Sequence, residues 1–169
     1  MRLARTCGRP QAKAAVACGI EIGDRSASVP GVPTASHPPI RIAAALIDDA
    51  EGRLLLVRKA GTRWFMQAGG KIEAGESSLG ALRRELFEEI GVKFADGCAR
   101  HLGVFSAPAA NEPDRMVEAD VFYLRMAGDP IIGSEIEEAI WVRGADAESM
   151  PLAPLTREHI LPLSRMLCS

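Results

Sequence analysis

The chain has 169 residues, 47% of them hydrophobic and 25% charged, with a formal net charge of −2. That length allows one globular domain with a proper core. The small negative charge argues against broad electrostatic capture of nucleic acid or of an anionic membrane, so stable nucleic-acid binding is not expected.

Residues 1–38 are rich in Ala, Gly, Pro, Ser and Arg, and the first twenty carry four basic side chains and no acid. They read as a disordered extension without a catalytic role. An organellar targeting segment has the same charge bias, whereas the apolar stretch at residues 14–20 is too short and too poorly placed for a secretory signal. The folded domain is expected over residues 39–169. Residues 40–47 (IRIAAALI) read as a strand, residues 48–52 as a turn, and residues 53–58 (RLLLVR) as the returning strand. A short strand at 64–67 runs into a Gly-rich loop, and a helix follows over 77–90. Residues 99–106 are strand-like. Residues 116–126 form the longest strand, with Val117, Ala119, Val121, Tyr123 and Arg125 on one side and Glu118, Asp120, Phe122 and Leu124 on the other. Residues 139–143 (AIWVR) read as the last strand. Residues 156–167 read as a closing helix with Thr156 as its cap and a break or kink at Pro162. Strands mixed with two long helices predict an α/β fold with helices on both faces of a sheet.

No apolar run approaches the ~20 residues that span a bilayer. Cys7, Cys18, Cys98 and Cys168 form no C-x-x-C pair, and they read as partly buried free thiols rather than a zinc site or a disulfide framework. A reducing cytoplasm is the expected compartment.

The chemistry concentrates between Gly70 and Val92. Leu79, Leu82, Leu86 and Ile90 make one apolar stripe at helical spacing, Ser77 and Ser78 can cap its start, and Gly91 stands where a helix ends. At helical pitch Glu85, Glu88 and Glu89 fall within an arc of roughly 100°, beside the stripe and not opposite it. An acidic helix face alone usually means solvent, but like charges at this spacing cost a helix a few tenths of a kcal/mol per pair. Mg²⁺ takes hard oxygen ligands, one or two protein carboxylates, and keeps waters and substrate phosphates for the rest. A rigid helix with carboxylates at i, i+3 and i+4 supplies such a site. Gly69, Gly70 and Gly75 let the backbone ahead of it turn tightly and approach a ligand closely.

Gly70, Glu76, Arg84, Glu85, Leu86, Glu88, Glu89, Gly91 and Val92 fit the pattern G-x5-E-x7-R-E-U-x-E-E-x-G-U, with U aliphatic, at every position. At average residue usage a chance match is on the order of one in ten million. This pattern is the Nudix box, and over roughly residues 40–165 the chain resembles the Nudix hydrolases of the MutT-like kind. The resemblance implies an α/β/α sandwich with a mixed sheet. It implies Mg²⁺, with Mn²⁺ as an alternative, held by Glu85, Glu88, Glu89 and the Gly69 carbonyl, with Gly70, Glu76 and Arg84 bracing them. One departure is Ala68, where the family often has Pro, which makes the turn less rigid but removes no ligand. The implied reaction is hydrolysis of a diphosphate linkage in a nucleoside diphosphate-X substrate, most simply a small nucleotide such as a (d)NTP. Arg84 and the three glutamates would carry it. The general base is a box Glu in some members and a later loop Glu in others, for which Glu135 is the candidate, with Glu137 and Glu138 close behind. A homodimer is also open, since many relatives are dimers.

The substrate is less legible. The extra signatures of coenzyme A pyrophosphatases, NADH pyrophosphatases and dinucleoside polyphosphate hydrolases are missing. Pro108 stands at the offset of a Pro in ADP-ribose pyrophosphatases, which keeps ADP-ribose or another nucleotide sugar as the alternative. A catalytically silent, nucleotide-binding regulatory domain is the alternative of another class, disfavoured by the intact glutamates. Residues 151–156 lack the Asn or Asp with which related triphosphatases read a purine. Phe105, Phe122, Tyr123 and the loop Ser106 to Met116 are candidates for base contact, and Arg63 and Arg115 for phosphate.

Overall fold

The computed structural model describes residues 37–167. The extension expected over residues 1–38 lies outside the described residues as far as residue 36, as do Cys7, Cys18 and Cys168.

Seven strands form one mixed sheet: β1 (Ile40–Asp48), β2 (Leu54–Lys59), β3 (Phe65–Met66), β4 (Gly69–Lys71), β5 (Arg100–Pro108), β6 (Met116–Arg125) and β7 (Ile136–Val142). β1 is the axis. It pairs in parallel with β6 along its whole length, from Ile40 beside Val117 to Asp48 beside Arg125. On its other edge it pairs antiparallel with β4 and, at Asp48, with β2. β5 extends the sheet beyond β6, and β7 and β3 flank β2.

The alternation of β1 divides the core. Ala43, Ala45 and Ile47 face helix α1 (Ser78–Ile90) and pack with Leu55, Val57, Leu82, Leu86 and Ile90. Leu46 faces the other way, with Leu54, Leu56, Val121, Ile160 and Leu161. β6 splits as its alternation predicts: Phe122 and Leu124 join the first cluster, and Ala119 and Val121 the second. Helices therefore cover both faces, and the α/β/α sandwich expected from the sequence is the observed fold.

α1 starts where Ser77 accepts a hydrogen bond from the Gly80 N–H at 3.1 Å, and it ends at Gly91, whose φ of 68° lets the chain leave the helix. The last turn is held from outside. Gly133 donates its N–H to the Glu89 carbonyl at 2.8 Å, and Ile131 donates to the Ile90 carbonyl at 3.0 Å. A Cβ on Gly133 would stand 1.9 Å from the Glu88 carbonyl oxygen, so only glycine lets the loop before β7 lie this close to the helix.

Four expectations need correction. Residues 69–71 are a strand and not only a loop. The closing helix begins before Thr156, since helical backbone opens at Pro154, a favoured first position, and Arg157 donates to the Ala153 carbonyl at 3.0 Å. Thr156 is accordingly no cap but a fully buried side chain. Pro162 does not break the helix. The turn Thr156–Ile160 widens to a π-helical one, in which Leu161 donates to Thr156, and α3 (Leu161–Leu167) continues from it. Because Pro162 has no N–H to give the preceding turn, a local widening absorbs it. A short helix, α2 (Gly144–Ala147), precedes this segment. Cys98, expected to be partly buried, is an exposed free thiol. Among the described residues no helix is long and apolar enough to cross a membrane.

Candidate active site

α1 docks against β4 with its glutamates turned toward the Gly-rich strand. Glu89 is nearly inaccessible, its side chain 2% exposed. Its Oε2 accepts a hydrogen bond from the Gly69 N–H at 2.8 Å, and its Oε1 lies 2.7 Å from the Lys59 Nζ, an ion pair not aligned as a hydrogen bond. Burial pushes the Glu89 carboxyl above its ordinary range, against the opposing pull of Lys59 and the Gly69 N–H. Burial alone would lower the Lys59 ammonium, but the Glu89 charge overrides it and raises it.

Glu85 fills the space above Gly70. A Cβ at residue 70 would fall 2.2 Å from the Glu85 carboxyl carbon, so the missing side chain of Gly70 is what admits that carboxylate. Gly69 serves a different contact. Its φ of 145° and the 2.2 Å that would separate its Cβ from the Ala43 carbonyl oxygen make glycine a requirement of the β1–β4 pairing itself.

Arg84 ties the group together. It donates to Glu76 at 3.0 and 3.2 Å, to Glu85 at 2.7 Å and to the Lys71 carbonyl at 3.1 Å, and its Nη1 lies 3.4 Å from Glu88. The Arg84 guanidinium holds the Glu76 carboxyl below its ordinary value of 4.5, and Glu76 in turn accepts the Glu73 N–H at 3.2 Å. The loop leading into α1 is thereby fixed to the helix surface. Glu88 is the most exposed of the three helix glutamates, at 58%. The sequence places all three beside the apolar stripe, whereas the fold buries Glu89 and leaves Glu88 half in solvent.

A cavity of about 780 Å³, within the usual range for small-molecule sites, runs over this cluster. Glu85, Glu88, Glu89, Arg84, Lys59 and Lys71 line it with charge. Ile40, Ile42, Val117 and Leu155 give it apolar wall, and Gln67 and Thr156 line it as well. Glu135, on the loop that Gly133 anchors to α1, reaches the same cavity, and its carbonyl accepts the Ala60 N–H at 2.9 Å. Glu137 and Glu138 do not line it; they pair with Arg58 at 2.7 and 3.0 Å. Pro108 contributes to the rim.

The remaining candidates lie elsewhere. Phe122 is in the core under α1, its ring 5.0 Å from that of His101, and the Phe105 ring lies tilted against that of His159 with centroids 5.3 Å apart. Tyr123 donates to Asp48 at 2.9 Å, Arg115 to the Pro38 carbonyl at 3.1 Å, and Arg63 lies over the Trp64 ring. None of the five lines the cavity. Lys59, Gln67 and Thr156 were not singled out from the sequence. Alternation offers a signal for two of them. Lys59 follows Leu55 and Val57 on the α1 side of β2, and Gln67 follows Phe65 at the same two-residue step.

Among the described residues no group of three or more His, Cys, Asp or Glu side chains stands as a ready-made cation cluster. Arg84 and Lys59 lie between the carboxylates instead. The donor set is nonetheless all oxygen, and the Glu89 Oε1 lacks an aligned donor. With Glu85 beside it above Gly70, this suits a hard divalent cation that retains waters and substrate oxygens.

Comparison with known proteins gives the class. The family model for the NUDIX domain matches residues 38–163, about three quarters of the sequence. The chain therefore belongs to the Nudix family, and it is a MutT-like pyrophosphohydrolase; members of that family generally use divalent metal ions. A relative from Haemophilus influenzae, an 8-oxo-dGTP diphosphatase, is 32% identical over 130 residues, covering 72% of this chain and 90% of the relative. Among solved structures, the MutT protein from Methanosarcina mazei Go1 shares the fold with a TM-score of 0.63 at 24% identity, over 79% of this chain and 98% of that one. The NUDIX domain of Shewanella oneidensis NrtR, solved with ADP ribose, has a TM-score of 0.64 at 18% identity, over 81% and 93%.

Two outcomes are expected from the site geometry. Gly69→Ala and Gly70→Ala separate stability from chemistry. The first meets backbone and is expected to lose at least about 1–3 kcal/mol in urea unfolding. The second meets only the Glu85 side chain and is expected to unfold near the wild-type midpoint while losing most activity. Equal behaviour of the two would contradict the assignment. For Glu76, a pKa lowered in the folded state means stability that is present above the unfolded value and lost as pH falls through the folded one. Thermal melts of wild type and Glu76→Gln are therefore expected to differ near pH 6 and to converge only in acid, once pH has fallen through the lowered folded-state value. A gap that persists or widens in acid would contradict the Arg84 brace.

Proposed function

We propose that this chain hydrolyses the diphosphate linkage of a small nucleoside triphosphate, with Mg²⁺ as its usual cation and Mn²⁺ as a substitute. The observation that carries this reading is the mixed lining of one cavity. It joins carboxylates and cations, which would hold phosphates and a metal, to apolar side chains, against which a base would lie. Its size and shape suit a compact nucleotide, and the 8-oxo-dGTP diphosphatase relative points to the same substrate class.

In this reading Glu85, Glu88 and Glu89, with the Gly69 carbonyl, hold the cation, which when bound supplies charge neutralisation for the diphosphate and an acidified water. Glu76 and Arg84 keep Glu85 in place. Lys59, paired with the Glu89 Oε1, would have to yield that oxygen to a bound cation, and this lysine also lines the cavity. Glu135 is a cavity carboxylate with no ion pair within 4 Å among the described residues, unlike Glu85, Glu89 and Glu112. It is free to accept the proton of the attacking water, and it sits on a loop fixed to the metal-holding helix.

A panel of dNTPs, 8-oxo-dGTP, ADP-ribose, NADH and dinucleoside polyphosphates, assayed for phosphate-containing products with Mg²⁺ and with EDTA, tests the proposal. Turnover of a triphosphate that EDTA abolishes is the expected result. Glu89→Gln is expected to lower kcat by several orders of magnitude, and Glu135→Gln by about 10²–10⁴-fold. Turnover confined to ADP-ribose would move the substrate to the nucleotide sugars. Tight binding without turnover of anything would leave a regulatory domain. Wild-type kcat in Glu135→Gln would return the base to the helix.

A further inference from the structure

In the lining of the cavity one polar side chain is left half satisfied. Gln67 is 4% exposed. Its Oε1 accepts a hydrogen bond from the Thr156 hydroxyl at 3.0 Å, and Thr156 is itself fully buried in the first turns of the closing helix. The Gln67 Nε2 is buried and has no hydrogen-bond partner among the described residues, yet Gln67 and Thr156 both line the cavity. Ile42, Val117, Ala153 and Leu155 line the same cavity, and none of them offers a side-chain acceptor. A buried N–H₂ without an acceptor is costly, and native interiors rarely keep one without a use. In this arrangement Oε1 is engaged by the Thr156 hydroxyl, so Nε2 is the amide group left to donate to a ligand.

We infer that Gln67, oriented by Thr156, is the base-reading residue of this enzyme and that it selects a base edge carrying a carbonyl oxygen over one carrying an amino group. This rests on the nucleotide reading above and names its specificity. A carbonyl on a base accepts the Nε2 hydrogen. An exocyclic amino group in the same place sets donor against donor and leaves both unpaired in an apolar wall, where the penalty is greatest. Gln67 thus fills the role of the Asn or Asp that residues 151–156 lack, but from the strand side of the cavity, with Thr156 as its support. Thr156 is a positioning residue here, since it acts through Gln67.

The test compares kcat/KM for substrate pairs that differ by this group. dITP against dATP exchanges the carbonyl for an amino group at C6, and 8-oxo-dATP against 8-amino-dATP does so at C8, so the pairs also say which edge is read. Wild type is expected to favour the oxo partner of one pair by about ten- to a hundredfold. Gln67→Met, which keeps the volume and removes the donor, is expected to erase that preference through KM with kcat little changed. Gln67→Glu, an acceptor, is expected to reverse it toward the amino partner. Thr156→Val, which frees the amide to turn, is expected to weaken the preference while Gln67 remains. A wild type without an oxo preference in either pair overturns the inference, whatever the variants do. So does a preference that survives in Gln67→Met and Thr156→Val proteins that melt like wild type. If the wild type hydrolyses ADP-ribose but no triphosphate, the proposed substrate falls and this inference with it. Turnover of triphosphates with no dependence on Gln67 overturns the inference alone.

Discussion

A carboxylate buried where a helix meets a sheet constrains most of what surrounds it. Glu89 lies on the covered side of α1, and an ionised carboxylate there is tolerated only if charge and hydrogen bonds replace water. Lys59 supplies the charge from β2 and Gly69 the hydrogen bond from β4. One side chain thus couples α1 to two strands. The backbone must also come close enough for the Gly69 N–H to reach it. That approach is why residue 69 sits against the Ala43 carbonyl and why residue 70 can have no side chain beneath Glu85. The same cluster raises the Glu89 carboxyl by burial while Arg84 lowers that of Glu76, so neighbouring carboxylates are held in different electrostatic states.

The cavity inherits this polarity. α1 brings charge to its lining, and the loop carrying Glu135 joins it because Gly133 fits against the last turn of the helix. The segment of the closing helix adds Leu155, and packs through Leu155, Ile160 and Leu161 onto the second face of the sheet. A phosphate tail and a base ask for opposite environments, and the lining holds side chains of both kinds. The π-helical turn at Thr156–Ile160 lies at the same place. Pro162, which lacks an N–H, is accommodated just after the turn that sets the Thr156 hydroxyl on Gln67.

Much of the fold was legible because local pattern and tertiary role agree. The alternation in β6 assigns Val121 and Phe122 to opposite faces, and each packs where it predicts. The stripe Leu82, Leu86, Ile90 marks the buried side of α1, and Ser77 and Gly91 mark its ends. The box also locates the acidic cluster, since spacing along one helix is fixed by its pitch. Contacts between distant segments were not legible. Lys59 gives no local sign that it will meet Glu89, thirty residues on. Gln67 is unremarked until Thr156 lies beside it. Phe105 and Phe122 are aromatic and on strands, but their neighbours in the fold are His159 and His101 and not the cavity. Thr156 looks like a cap because Pro154 could equally precede or begin a helix, and only the packing of the closing helix decides it.

The most direct measurement is anomalous diffraction from crystals soaked in Mn²⁺. The account predicts a peak between Glu85 and Glu89, above Gly69 and Gly70, with the Lys59 ammonium withdrawn from the Glu89 Oε1. A Mn²⁺ ion bound elsewhere in the cavity, with Lys59 still 2.7 Å from Glu89, would contradict it, and would make the buried pair a structural tie and not a cation site.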